Sequence, residues 1–206
     1  MTSPTQLRPG RTPPAPLRLQ EVGKFEAPSV RSTYQRIGAP LGLIGRMDWS
    51  IAQWEREIDR PTVRAWIALV DDHVGGVVEL QIEPDGSVGI VVFGLVPELI
   101  GRGFGGTLLT MATELAWTLT VPDGTPARRV WVQSSSRDHP HARPNYESRF
   151  NGDNAACGCR QYFRQSSGAG SDLDDEDVGR DRGLCHEFSS ERAASKEVLA
   201  ARPRFA

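Results

Sequence analysis

The chain has 206 residues, a formal net charge of −2 and 38% apolar residues, with a pI near 6.1. That length favours one domain with polar extensions, and the charge balance argues against nucleic acid as the main partner. No apolar run approaches the roughly 20 residues of a membrane span, and the basic N-terminus lacks the apolar block of a secretory signal.

Residues 1–29 read as a leader. Pro4, Pro9, Pro13, Pro14 and Pro16 alternate with arginines among few apolar residues over the first 24 positions, the composition of an extended, disordered segment. A folded domain is expected over residues 30–150. The mixed stretch 34–45 has room for a short helical turn. Ser50 and Gln53 then form a capping box, with Ile51, Trp54 and Ile58 on one helical face and Pro61 as the stop.

Three strands follow. Residues 63–70 are densely apolar, Asp71, Asp72 and His73 make a turn, and residues 75–82 supply the antiparallel partner. Glu83-Pro84-Asp85-Gly86 is a second turn, and residues 88–96 form the third strand, closed by Pro97. Short strands joined by tight turns are a meander.

The third strand runs into the glycine-rich stretch 100–106, and a helix is expected over residues 103–119. Phe104, Leu108, Met111, Leu115 and Leu119 recur at three- and four-residue spacing. Such a join is suited to an anion. The first helical amides lack partners inside the helix, that end of the dipole is partly positive, and glycine lets an anion reach the backbone. Arg102 adds a full charge. The P-loop pattern fails here, since its spacing and its lysine are missing. The dinucleotide fingerprint fits at Gly101, Gly103 and Gly106, but the next strand, near residues 130–134, ends in Gln133-Ser134 rather than the acidic residue that would hold a ribose. The third pattern is Gln/Arg-x-x-Gly-x-Gly/Ala, with Gly103 and Gly105 as its glycines and Ile100 in place of the usual first residue.

The string FGLVPELIGRGFGG, residues 93–106, and the segment DHPHARPNY, residues 138–146, resemble a bacterial subgroup of the GNAT superfamily of acyl-CoA-dependent N-acyltransferases. The resemblance implies an α/β class, the GNAT fold: a mixed central sheet with a bulged, splayed strand and flanking helices. It implies acetyl-CoA as acyl donor, with its diphosphate on Ile100, Gly101, Arg102, Gly103, Phe104, Gly105, Gly106 and Thr107. In that fold the strand before the turn parts from its neighbour, and the pantetheine arm pairs with exposed backbone. Leu95 and Val96 are the positions expected to offer those groups. His139 stands where many GNAT sequences have an asparagine contacting the acyl-CoA. Helices near Trp49 and Trp54 would border the acceptor cleft, though a place in the core is the favoured reading of both indoles.

Beyond the helix, the strand at residues 130–134 is expected parallel to the third one. Asp138 is a candidate N-cap and Pro140 suits a first helical turn. His139 and Tyr146 would then share a face. Pro144 inside that helix would bend it.

The tail departs from the family. Where GNAT sequences read Tyr, three residues, Gly-Phe and a strand, Arg149 is followed directly by Phe150. Residues 151–206 are polar, glycine-rich and then acidic, so the closing C-terminal strands are expected to be incomplete and the tail disordered. A shifted reading frame at Asn151 is one explanation. Cys157, Cys159, Cys185 and His186 could ligate zinc, but their spacing is poor for a structural site and no metal is expected. Three cysteines gathered late are no disulfide framework and fit a reducing cytoplasm.

Acyl transfer from a thioester to an amine needs a neutral amine, a donor for the developing oxyanion and a proton for the leaving thiolate. The resemblance assigns the acid to Tyr146, protonated at neutral pH with an ordinary pKa near 10. Glu79 is the candidate base. It interrupts the apolar run GVVELQ, and burial toward the cleft would raise its pKa; a solvated face of the sheet is the alternative. The expected function is acetylation of a primary amine on a small molecule or peptide, in the cytoplasm, with a homodimer as one possible assembly. The rival is a non-catalytic or damaged GNAT-like acyl-CoA-binding protein; a nicotinamide-dinucleotide protein is a third reading.

Overall fold

The computed structural model describes residues 1–121 and 123–150. The expected tail, the four candidate zinc ligands and the closing strands lie outside the described residues. In chain order the elements are β1 (Leu17–Val22), α1 (Ala27–Gly38), α2 (Ile51–Ile58), β2 (Val63–Val70), β3 (His73–Ile82), β4 (Ser87–Leu95), α3 (Phe104–Thr118), β5 (Arg129–Val132) and α4 (Ala142–Arg149). They form one sheet in the order β1-β2-β3-β4-β5. The first four strands are antiparallel, and β5 runs parallel to β4. Among the described residues no helix is long and apolar enough to cross a membrane.

Both faces of the sheet are covered, so the central strands are buried almost throughout. The period of two sorts their side chains. Trp66, Ala68, Val70, Val78, Leu80, Val88 and Ile90 face α3 and α4, where they meet Phe104, Leu108, Ala112, Ala116, Tyr146 and Phe150. Ala65, Ile67, Leu69 and Val77 face α1 and α2 and pack on Ala27, Val30, Trp54 and Ile58. The buried stripe of α3 is centred on Ala112 and Ala116, while Met111 and Leu115 are half-buried. Ala112 and Ala116 bring this part of the helix close to the sheet, with Met111 and Leu115 at the margin. In α2 the capping box forms, with Ser50 and Gln53 bonded reciprocally, but Ile51 is exposed and leaves that face to Trp54 and Ile58.

The turns follow local chemistry. Asp71 and Asp72 adopt φ of 48° and 63°, so the β2–β3 hairpin turns on these two residues and His73 already belongs to β3. Aspartate tolerates that region better than most residues.

The leader differs from expectation. Residues 17–22 form edge strand β1, paired with β2, and Leu17, Leu19 and Val22 turn toward the protein. Upstream, Met1 and Val130 exchange both backbone hydrogen bonds, at 2.7 and 2.9 Å, as a hydrogen-bonded antiparallel pair does. Met1 is buried in the core. Leu7 bridges Phe150 and the Arg8 amide donates to the Arg149 carbonyl at 3.0 Å. Prolines in the segment restrict the unfolded chain, so fewer contacts suffice to order it.

Candidate functional site

β4 organises the site. Glu79 pairs with Val92 while Leu80 pairs with Ile90, so Val91 is an extra residue in β4, a bulge that bends the strand. β5 follows β4 only from Ser87 to Ile90, with a last bond from the Gln133 amide to the Ile90 carbonyl at 3.0 Å. Beyond that point the two strands part.

The backbone groups on this opened edge are not those expected. The Val96 amide donates to the Gly75 carbonyl at 2.9 Å, and the Val96 carbonyl accepts from the Leu99 amide at 3.0 Å. Val96 is therefore fully engaged. In an antiparallel ladder successive residues aim their groups to opposite sides. With Val96 turned to β3, Leu95 and Phe93 aim N–H and C=O to the opened edge. Phe93 replaces Val96 in the expected pair.

Pro97–Leu99 forms a short tight turn, and the glycine stretch leads into α3. Gly101 and Gly103 have φ of 77° and 89°, a region few side chains tolerate. The amides of Ile100 and Arg102 are spent on the Pro97 and Leu99 carbonyls, at 3.2 and 3.3 Å. The first-turn amides of α3, from Phe104 to Gly106, have no helical partner and lie at the positive end of the dipole. The Phe104 side chain is buried in the core, 4% exposed, and contributes only its backbone. Thr107 Oγ1 donates to the Arg11 carbonyl at 2.7 Å, so its hydroxyl is committed to the leader.

α4 begins later than expected. Asp138 accepts from Ser134, Ser135 Oγ and the Ser135 amide at 2.8 to 3.1 Å and closes a turn rather than capping a helix. His141 precedes the first helical residue, Ala142. Pro144 then falls in the first turn, where its missing N–H removes no helical bond, and no bend is required. His139 lies outside the helix and does not share a helical face with Tyr146. Its Nδ1 accepts from the His141 amide at 3.2 Å, and the two rings meet edge-on at 4.8 Å. Asn145 makes the link to the turn instead, donating from Nδ2 to the Gly105 carbonyl at 3.1 Å. Its amide type and its place beside Tyr146 were the available signal.

Tyr146 projects from α4 toward β4 and is 8% exposed, with its ring edge-on to Phe93 at 6.0 Å. Burial first, and the charge of Asp138 second, push its pKa well above the usual tyrosine value.

Glu79 lies on the opposite face of the sheet and is 1% exposed, which rules out the solvated reading. Arg46 Nη1 donates to both its oxygens at 2.9 and 2.7 Å, and Arg46 Nη2 reaches Glu57 at 3.3 Å. The guanidinium lies 4.8 Å from the Trp49 ring and 5.4 Å from the Trp54 ring. Burial works against its charge, but the carboxylates of Glu79 and then Glu57 outweigh that and hold its pKa above the ordinary value. Trp54 is fully buried and contacts Tyr34 and Trp49, so it serves the core and floors this ion pair together. Glu98 pairs with Arg36 at the surface, and His73 bonds only the Asp71 carbonyl.

No protein-family model and no curated protein matches the chain. Solved structures do. An aminoglycoside acetyltransferase from an uncultured soil metagenomic sample, in complex with trehalose, is 14% identical; the match covers 64% of this chain and 86% of that one, with a TM-score of 0.50. AAC(6')-Iy in complex with a bisubstrate analog is 13% identical over 65% of this chain and 89% of that one, with a TM-score of 0.48. An acetyltransferase from Thermus thermophilus is 20% identical over 56% and 74%, with a TM-score of 0.44. At such identities the first of these likenesses speaks for the fold alone: a five-stranded mixed sheet with flanking helices, the GNAT fold.

Proposed function

We propose that this chain is an N-acetyltransferase of the GNAT superfamily, moving an acetyl group from acetyl-CoA to a primary amine on a small molecule or peptide. One observation carries the reading: the β4 edge opened after Ile90 leads straight to the amide-bearing end of α3, with the buried Tyr146 phenol beside Phe93 along the way.

The donor supplies an activated acetyl thioester. The amides at the start of α3 hold its diphosphate, with Arg102 beside them. Phe93 and Leu95 pair their backbone groups with the extended arm, and the Leu95 N–H is placed to stabilise oxyanion charge. Tyr146 donates a hydrogen bond to the departing sulfur. An ordinary phenol, near pKa 10, is a weaker acid than an ordinary thiol, near 8.5, so outright transfer in water would run uphill. In a dry groove the thiolate pKa rises as well, which narrows that gap. Glu79 acts as base in competition with Arg46, whose guanidinium already occupies a lone-pair site on each carboxylate oxygen.

That last point favours a second reading, an acyl-CoA-binding protein without turnover, in which Arg46 keeps Glu79 permanently engaged. Thiol release from acetyl-CoA with a panel of amines, run beside calorimetric titration of CoA, separates the two. Turnover with any amine supports the enzyme. Tight CoA binding without turnover supports the binder. Absence of CoA binding rejects both.

A further inference from the structure

The N-terminal segment lies along one face of α3, the face that carries Gly103, Gly106, Thr107 and Thr110. The Gly10 amide donates to Thr110 Oγ1 at 2.8 Å, and the Arg11 carbonyl accepts from Thr107 Oγ1. Gly10 sits so close that a Cβ on it would lie 2.4 Å from the Gly106 carbonyl carbon. From the other side comes Arg149, whose Nη2 would lie 2.5 Å from a Cβ on Gly106. The Arg149 Nε is wholly buried and has no hydrogen-bond partner.

The backbone of Arg8 and Arg11 thus passes the N-terminal turn of α3, which Arg102 precedes in the chain, and the Arg149 guanidinium lies against Gly106. Among the described residues none of their side chains has an ion-pair or hydrogen-bond partner. Four like charges at the positive end of a helix dipole repel one another and the helix. Backbone bonds nevertheless dock the segment here. An anion of several charges would turn this repulsion into attraction, and it would give the buried Nε an acceptor.

We propose that Arg8, Arg11 and Arg149 form the outer wall of a polyphosphate subsite that continues from the diphosphate turn. The N-terminal segment thereby supplies ligands for the phosphate-bearing end of the donor. This rests on the acyl-CoA reading above and extends it to residues outside the glycine turn. A diphosphate together with a ribose phosphomonoester, each phosphomonoester carrying about −1.5 to −2 near pH 7, is of the right order to balance these cations.

The experiment is calorimetric titration of the full chain with CoA, dephospho-CoA and inorganic pyrophosphate, in wild type, Arg8→Gln/Arg11→Gln and Arg149→Gln. Arg8 and Arg11 are exposed, so the double variant should melt like wild type without ligand, which controls for folding. The expected result is a CoA Kd raised about 10-fold or more in each variant, a smaller effect on dephospho-CoA, and a shallower salt dependence in the double variant. An unchanged CoA Kd in both variants overturns the proposal. So does tighter binding, which would mean that the segment shields the turn. Arginine-dependent pyrophosphate binding without CoA binding would keep the anion subsite and reject the donor reading. Failure of wild type to bind any of the three probes rejects both.

Discussion

Arg46 reaches from the loop between α1 and α2 into the far face of the sheet and closes on both oxygens of Glu79. The loop reaches that far because Gly42 and Gly45 adopt φ of 59° and 87°, a region glycine enters without strain. A carboxylate in the middle of a buried strand is satisfied from outside the sheet by one side chain.

Removing that side chain should be costly. Arg46→Met leaves Glu79 buried and unpaired, and breaking such a pair destabilises by about 3–5 kcal/mol. Replacing both partners, as Arg46→Met/Glu79→Leu, should recover most of that loss, because an apolar pair needs no solvation. Urea denaturation of the single and double variants measures the coupling. Equal stability of Arg46→Met and wild type would show the pair to be inessential.

Tyr146→Phe removes the phenol oxygen and keeps the ring against Phe93. If the oxygen serves the leaving sulfur, turnover should fall about 10²-fold or more while the CoA Kd moves little. Steady-state kinetics beside calorimetry reads the two apart. Matched losses in turnover and affinity would make Tyr146 a packing residue.

Both described tyrosines are held protonated. Burial is the first cause at Tyr34, as at Tyr146, and raises its pKa. A pKa raised in the folded state favours folding fully below the unfolded value, about 10. That contribution is lost as pH climbs through the folded value. Alkaline titration of near-ultraviolet phenolate absorbance should therefore find Tyr34 and Tyr146 each less than half ionised at pH about 10, with more phenolate appearing on unfolding. Tyrosine-to-phenylalanine variants assign each signal.

Gly10→Ala tests the docked N-terminal segment. Its Cβ would strike the backbone at Gly106 and Thr107, which cannot swing aside as a side chain can. A loss of about 1–3 kcal/mol is expected, as for overpacking elsewhere, with faster tryptic cleavage at Arg11, since Pro9 protects the bond after Arg8. Melting and limited proteolysis indistinguishable from wild type would mean that the segment is not held there.

The meander, the capping box at Ser50, the glycine turn with its helix and the parallel return to β5 were legible because each rests on local chemistry: periodicity, turn residues, glycine. The leader was not. Composition averages a segment's polarity, and it hid Leu17 and Leu19 alternating with polar neighbours in β1, together with a docking made largely of main-chain bonds. Glu79 stood out as a charge in an apolar run, yet its partner Arg46 is 33 positions away, and nothing local links them. The same limit applies to Val96, whose backbone is engaged by Gly75 across the sheet. The start of α4 was misplaced because Asp138 can close a turn or cap a helix with the same oxygens.

The bulge at Val91 leaves β4 with two kinds of main-chain hydrogen. Gly94 and Val96 point theirs into the ladder, while Phe93 and Leu95 point theirs into the gap. In deuterium oxide this strand should show alternating slow and fast exchange, residue by residue, in place of the uniform protection of an interior strand. Any molecule that settles into the gap would erase the alternation, so the strand carries its own label for occupancy.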